Sequence, residues 1–363
     1  MKNSIPENPD IVGIGTTFNF ALAKVLAESN PDMTTLLVTR AKNGMSAQER
    51  VEHLFDDRIG EIQDQDEREE ARRIIQLPEN ALVVDSDIFL RKFRGQIRKL
   101  FFQIWKSSQL RAGLTATRDA IGQKAFVNCE ILSASKGIEN STLQLIHKVH
   151  EETLGVRERA VVLLGGNLAF DLARGMPMIT EIAGDPQSVR RVAELFSNSK
   201  LRVYRSLDKN ILDVAGPTKN VHSFAAGIAS VFSDSTVAAS ATRGLAEYER
   251  IAAAIGSKAE FEVPRNGGVA SDYFLFAGTR NFNAGKKFIG LLKNKIPVGT
   301  AVSEITRDET VEGIASAIPL RDFARKLNVH APLIEAVAAI LEGKISVRKA
   351  AANLIECGRD AEF

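Results

Sequence analysis

Up to about Asp208 the chain alternates short apolar runs with stretches whose apolar residues recur every three or four positions; beyond it the alternation stops. The short runs predict strands at Ile11 to Ile14, Thr35 to Thr39, Leu100 to Trp105, Phe126 to Ser133, Ala160 to Leu164 and Leu201 to Tyr204. Between them lie amphipathic stretches such as Phe20 to Glu28, with Leu22, Val25 and Leu26 on one helical face. Strand followed by helix, repeated, is the pattern of a doubly wound parallel sheet. The densely charged segment Gln48 to Arg73 interrupts the order and predicts a pair of solvated helices, since opposite charges at i, i+4 spacing support exposed helix. After Asp208, alanine and glycine dominate, as in Phe224 to Ala229 and Val237 to Ile255. Small side chains at these spacings let helices approach closely, so an all-helical C-terminal domain is expected. The division predicted is 1–207 and 208–363, with the ligand in the cleft between the two domains.

Composition narrows the class. At 363 residues the chain exceeds the roughly 250 to 300 residues over which one core grows, which again gives two domains. Charged residues make up 25% and 47 basic side chains face 45 acidic ones, so no broad basic field exists and nucleic-acid binding is not expected. Any anion site must be local. Cys129 and Cys357 lack a paired spacing, and the five histidines lack a ligand pattern; His147 and His150 are expected on a solvated helix face, and no metal is expected. The polar start, Met1 to Asp10, and the absence of a long apolar run predict a cytoplasmic protein without membrane attachment.

The first predicted strand ends in Gly13-Ile14-Gly15-Thr16-Thr17-Phe18 and opens a helix. Glycine at the first two places of such a turn lets the backbone approach a pyrophosphate, which then lies on free N–H groups at the helix start, as in Rossmann-like domains. Phe18 stands where a third glycine is usual, and a ring there is expected to push the helix from the strand unless the loop is rebuilt. Arg40 follows the second strand, where an acidic partner of the ribose hydroxyls is usual. A guanidinium there attracts a ribose 2′-phosphate, so NADP, alone or beside NAD, is one reading; a solvated basic loop is the other.

Hydride reduction of a carbonyl needs a proton donor at the developing alkoxide, and a lysine serves when burial or a neighbouring cation lowers its pKa. Lys219, in Gly216-Pro217-Thr218-Lys219-Asn220-Val221, lies in an apolar helical stretch, and Pro217 fits a first helical turn or a kink. Asp272 interrupts the apolar run Ser271 to Phe276 and needs a cation if buried. Thr279-Arg280-Asn281 combines a hydroxyl, a forked guanidinium and an amide, a kit suited to a phosphate monoester; taken alone, Arg280 reads as a structural salt bridge. Lys136 ends the strand Ile131 to Ser135, at the sheet edge that faces the ligand crevice. Gly165-Gly166-Asn167-Leu168-Ala169 is either a loop against nicotinamide or a tight strand-to-helix turn.

Taken together, Ser135 to Glu139, Gly165 to Ala169, Gly216 to Val221 with Ala225-Ala226-Gly227-Ile228, Thr242 to Glu247, Asp272, Thr279 to Asn281 and Val311-Glu312-Gly313 resemble the soluble NAD(P)-dependent glycerol-3-phosphate dehydrogenases along nearly the whole chain. The resemblance implies reduction of dihydroxyacetone phosphate to sn-glycerol 3-phosphate, a step of glycerophospholipid metabolism. It makes Lys219 the proton donor and acceptor, with Lys136 and Asp272 beside it in catalysis. It places Lys136, Lys219, Asp272, Thr279, Arg280 and Asn281 on the phosphorylated substrate. Gly13, Gly15, Thr16, Thr17, Phe18, Arg40, Lys136, Ala169, Arg280 and Glu312 fall to NAD or NADP. A homodimer is compatible with the alanine-rich helices. Departures gather on the cofactor side: Thr16-Thr17-Phe18 in the glycine turn, Lys106-Ser107 for Pro-Ser, and Gly165 to Ala169 for Gly-Pro-Ser/Thr-Phe-Ala. They keep two alternatives open, a non-catalytic binder of a sugar phosphate or nucleotide and a related dehydrogenase with another substrate.

Overall fold

The computed structural model describes residues 5–42, 44–197, 199–257, 267–274, 278–307 and 310–356. Cys357 lies outside them. The chain forms two compact units: Met1–Ser135 with Ile146–Lys209 and Pro264–Ser271, and Lys136–Leu145 with Asn210–Val263 and Asp272–Phe363.

The first unit holds strands β1 (Ile11–Ile14), β2 (Thr35–Thr39), β3 (Ala81–Asp85), β4 (Leu100–Gln103), β5 (Glu130–Ser133), β6 (Ala160–Leu164), β7 (Met178–Ala183) and β8 (Leu201–Ser206). Its helices are α1 (Thr17–Ser29), α2 (Ala47–Glu52), α3 (Asp56–Gly60), α4 (Gln65–Ile74), α5 (Ser86–Lys92), α6 (Ser107–Ile121), α7 (Ile146–Leu154), α8 (Ala169–Ala173) and α9 (Pro186–Glu194). The strand order is β3-β2-β1-β4-β5-β6-β7-β8. All pairs are parallel except β6 with β7, so the predicted parallel sheet gains one antiparallel join. Strands β1, β2, β4, β5 and β6 are buried along their length, which is why the centre of each reads as an apolar run, with polar residues only at the ends of β2, β4 and β5. Ile11, Leu37, Phe102 and Leu132 pack with α1, α8 and α9 on one face; Val12, Leu36, Phe101 and Ile131 pack with α5, α6 and α7 on the other. The chain order reverses between β1 and β4, the switch point at whose carboxyl edge open α/β sheets take ligands.

Several expectations need correcting. The charged segment forms three short helices, α2 to α4, not two. Ser46 and Glu49 make a capping box on α2, and Asp64 caps α4 through Glu67 N–H at 2.8 Å. Its charges are solvated, but Val51, Phe55, Ile59, Ala71 and Ile75 enter the core, so the segment is also a wall of the sheet layer. Phe126 belongs to a 3-10 turn, Gln123–Phe126, ahead of β5. His147 and His150 are buried rather than solvated: His150 Nδ1 donates to Ile146 O at 2.9 Å, leaving Nε2 to accept from Gln103 Nε2 at 2.8 Å.

The second unit contains α10 (Lys209–Ala229), α11 (Asp234–Ala254), α12 (Gly267–Phe274), α13 (Arg280–Lys293), α14 (Val298–Thr306), α15 (Glu312–Lys326), α16 (Pro332–Leu341) and α17 (Val347–Glu356); the first residues of α10 and α12 fall in the first unit. α10 is buried from Ile211 to Ile228, as a central helix of a bundle is. A Cβ on Gly227 would stand 2.0 Å from Phe282 O, and one on Gly285 2.2 Å from Phe224 O, so α10 and α13 touch through their backbones. Phe224 and Phe288 pack beside that contact, ring centroids 5.5 Å apart.

Candidate active site

Three segments far apart in sequence bring two ammonium groups onto one carboxylate in the second unit. Lys136 Nζ donates to both oxygens of Asp272, at 3.1 and 3.0 Å, and Lys219 Nζ stands 3.6 Å from Asp272 Oδ1. Lys219 and Asp272 are buried, whereas the Lys136 side chain is 28% exposed. A buried carboxylate is costly alone, and the two cations offset that cost. Burial has the largest effect on Lys219 and holds its pKa below the ordinary lysine value; Asp272 pulls it back up and the Lys136 charge pushes it further down. Such a lysine exchanges its proton near neutrality more readily than a solvated one. Pro217 lies in the interior of α10, not in a first turn. Gly137, next to Lys136, has φ of 138°, a conformation that favours glycine.

A second group of polar side chains joins α10 to α13 and to the start of α15. Asn281 Nδ2 donates to Asn220 Oδ1 at 2.9 Å, and Asn281 Oδ1 accepts from Gly313 N–H at 2.8 Å. Gly313 is required there, because a Cβ would lie 2.5 Å from Asn220 O. Thr279, the N-cap of α13, has its Oγ1 on Ser223 Oγ at 3.0 Å. Arg280 donates to Thr310 O at 3.0 Å and meets Glu312 Oε1 at 3.4 Å; with its side chain 51% exposed, water screens that pair. Sequence reasoning missed Asn220 and Ser223. Their signal was position: one lies next to Lys219, the other at i+4 on the same helical face.

In the sheet unit, Gly13 and Gly15 have different reasons to be glycine. A Cβ on Gly13 would stand 2.2 Å from the Phe102 ring of the paired strand, so packing alone demands glycine. Gly15 has φ of 151°, and a Cβ there would meet the Asn19 amide at 2.0 Å. Thr16 caps α1 without a side-chain bond, Thr17 opens the helix, and Phe18 packs its ring against the apolar layer. β1 passes into α1 through Gly15 and Thr16. Arg40 follows β2 and is exposed, and Ala169 opens α8. Thr39 Oγ1 and Ser133 Oγ, at the carboxyl ends of β2 and β5, and Asn19 Oδ1 are buried without hydrogen-bond partners. A backbone bare of Cβ atoms at a helix start, with unmet polar atoms along the same sheet edge, fits a dinucleotide. Packing requires glycine at position 165, where a Cβ would lie 2.7 Å from Ile179 O.

Other motif residues are structural. Gly244 makes room for the His222 ring, 2.5 Å from the Cβ position, and Glu247 caps α16 by accepting from Leu333 and Ile334 N–H. Cys129 is buried, which pushes its thiol up to about 12 and leaves it inert. Among the described residues no cluster of His, Cys, Asp or Glu could hold a metal ion.

Residues 10–190 match the family model of the NAD-dependent glycerol-3-phosphate dehydrogenase N-terminus, and residues 208–352 that of its C-terminus. A glycerol-3-phosphate dehydrogenase [NAD(P)+] of Brucella ovis is 32% identical over 252 residues, 68% of this chain and 72% of that protein. One of the same name from Nocardia farcinica is 32% identical over 256 residues, 69% and 74% of the two chains. In fold, the chain is similar to the glycerol-3-phosphate dehydrogenase structures of Coxiella burnetii (TM-score 0.73, 21% identity, covering 97% of this chain and 100% of that one) and Plasmodium falciparum (TM-score 0.77, 15% identity, 98% and 96%). Matched along both halves, the chain belongs to the NAD(P)-dependent glycerol-3-phosphate dehydrogenase family.

Proposed function

We propose that this enzyme reduces dihydroxyacetone phosphate to sn-glycerol 3-phosphate, with Lys219 as the proton donor and, in reverse, the acceptor. The nicotinamide supplies the hydride when bound. The observation that carries the reading is the Lys136, Asp272 and Lys219 group: one buried lysine of lowered pKa, held by a carboxylate that a second lysine shares. In reduction the protonated Lys219 neutralises the alkoxide as it forms, and Lys136 adds positive charge at the carbonyl oxygen. Arg280, with Thr279 and the second N–H of the Asn281 amide, holds the phosphate. Gly13, Gly15, Thr16, Thr17, Phe18 and Ala169, with Arg280, Lys136 and Glu312, serve the cofactor. Arg40, exposed after β2, suits a 2′-phosphate, so NADPH is accepted beside NADH. The Phe18 ring, which motivates the alternative of a non-catalytic relative, packs against the apolar layer. The same reading gives a nucleotide-binding part at 1–207, a substrate part at 208–363, a cytoplasmic location and a homodimer. Among the described residues no helix is long and apolar enough to cross a membrane.

The test is the initial rate of NADH and NADPH oxidation with dihydroxyacetone phosphate, against a control without the ketone. Substrate-dependent oxidation is expected with both nucleotides. No turnover with either would refute the substrate, and a large preference for NADH would remove Arg40 from the phosphate role.

A further inference from the structure

Glu181 is an acid in an unexpected place. It lies in β7 between Thr180 and Ile182, fully buried, where a sheet packed on both faces favours an apolar side chain. Burial pushes its carboxyl up to about 7, opposed only by the backbone N–H groups of Gly268 and Val269. Oε2 accepts from Gly268 N–H at 3.1 Å, while Oε1 has no hydrogen-bond partner. The approach is as close as backbone allows: a Cβ on Gly268 would stand 2.3 Å from Glu181 Cβ and 2.5 Å from Leu164 O. Gly268 O in turn accepts from Ser271 Oγ at 3.0 Å, and Ser271 Oγ accepts from Gly166 N–H at 3.1 Å. Glu181 and Ser271 thus fasten the first turn of α12 to β7 and to the turn that follows β6.

α12 has 8 residues, too few to hold a helix in water by itself, so its anchors set its position. Asp272 comes one helical turn after Gly268, at i+4. We propose that Glu181 is a positioning residue of the reaction: by holding Gly268 it fixes the start of α12 and, along that helix, the place where the Asp272 carboxylate meets Lys136 and Lys219. This rests on the proposed role of Asp272 and adds to it a residue that touches neither lysine.

The test uses the full chain and compares Glu181→Leu, Glu181→Asp and Glu181→Gln, each also combined with Asp272→Asn. Leu keeps the volume without the acceptor, Asp withdraws the acceptor by one methylene, and Gln keeps it in place. Glu181→Leu is expected to lower kcat about tenfold with KM for the ketone phosphate changed less, Glu181→Asp to lower it partly, and Glu181→Gln to stay within about twofold of the parent. In the Asp272→Asn background the Leu change is expected to cost less than about twofold more, because its effect has already been removed. Parental kcat in Glu181→Leu, a Gln variant as slow as the Leu variant, or full additivity with Asp272→Asn would overturn the proposal. If Glu181→Leu does not fold, the contrast between Asp and Gln in the two backgrounds decides in the same way. Parental turnover in Asp272→Asn alone would instead refute the reading of the site, an outcome in which Glu181 takes no part.

Discussion

Asparagine at position 272 keeps the size of the side chain and removes one charge from between two lysines. The Lys219 ammonium stands 3.6 Å from that charge. At this distance the attraction is about 1 kcal/mol at the dielectric constant of water and about 5 kcal/mol at an effective value of 20. Losing it lowers the pKa of Lys219 further, on top of the lowering that burial and Lys136 already cause. Ketone reduction needs Lys219 protonated, so kcat falls as pH rises through its pKa, and in Asp272→Asn that fall moves to lower pH. Oxidation of glycerol 3-phosphate needs the lysine neutral, so its low-pH limb moves in the same direction. The assay is kcat against pH at saturating substrate, in both directions, for parent and variant. Limbs that stay within a few tenths of a unit, or that move to higher pH, would refute the electrostatic coupling even if turnover dropped.

Arg280→Ala should raise KM for the phosphorylated ketone at least about tenfold while unfolding free energy changes by no more than about 0.5 kcal/mol, since its ion pair is exposed; a stability loss with unchanged KM would make it structural. Asn281→Ala leaves Gly313 N–H and Asn220 Oδ1 without their partner, and should cost about 2 to 4 kcal/mol in urea unfolding; a cost under about 0.5 kcal/mol would mean that neither bond matters. Glu181, raised from 4.5 to about 7, keeps a proton in the fold that the unfolded chain releases, so it lowers stability progressively as pH rises between those values and evenly above them. The stability of Glu181→Gln relative to the parent should therefore improve by about 3 kcal/mol between pH 4.5 and pH 8, and a pH-independent difference would contradict the burial argument.

Most strands legible in the sequence are buried on both faces; the exception is the edge strand β8, expected at Leu201 to Tyr204 and found at Leu201–Ser206. β1, β2 and β6 have the predicted ends, because an unbroken apolar run needs no tertiary context to stand out. β3 was missed at the sheet edge, where only Ala81 is fully buried, and β7 was missed because Thr180 and Glu181 break its apolar pattern. Phe55 and Ile59 were hidden among charges, although they reach the core. At the site, residue types and motif spacing pointed to Lys136, Lys219 and Asp272, but no local pattern contains their meeting, since it joins a loop and two helices from distant parts of the chain. At Gly13 the sequence showed only half of the reason for glycine: the residue read for a ligand is also required by the Phe102 ring.

If the Lys219 ammonium moves the proton, a small amine diffusing into its place can do the same, and chemical rescue is the decisive assay. Lys219→Ala should lose about 10²- to 10⁴-fold in kcat with KM for dihydroxyacetone phosphate changed far less, and added methylamine should restore turnover in proportion to its protonated concentration. Near-parental turnover in Lys219→Ala without amine would contradict the account.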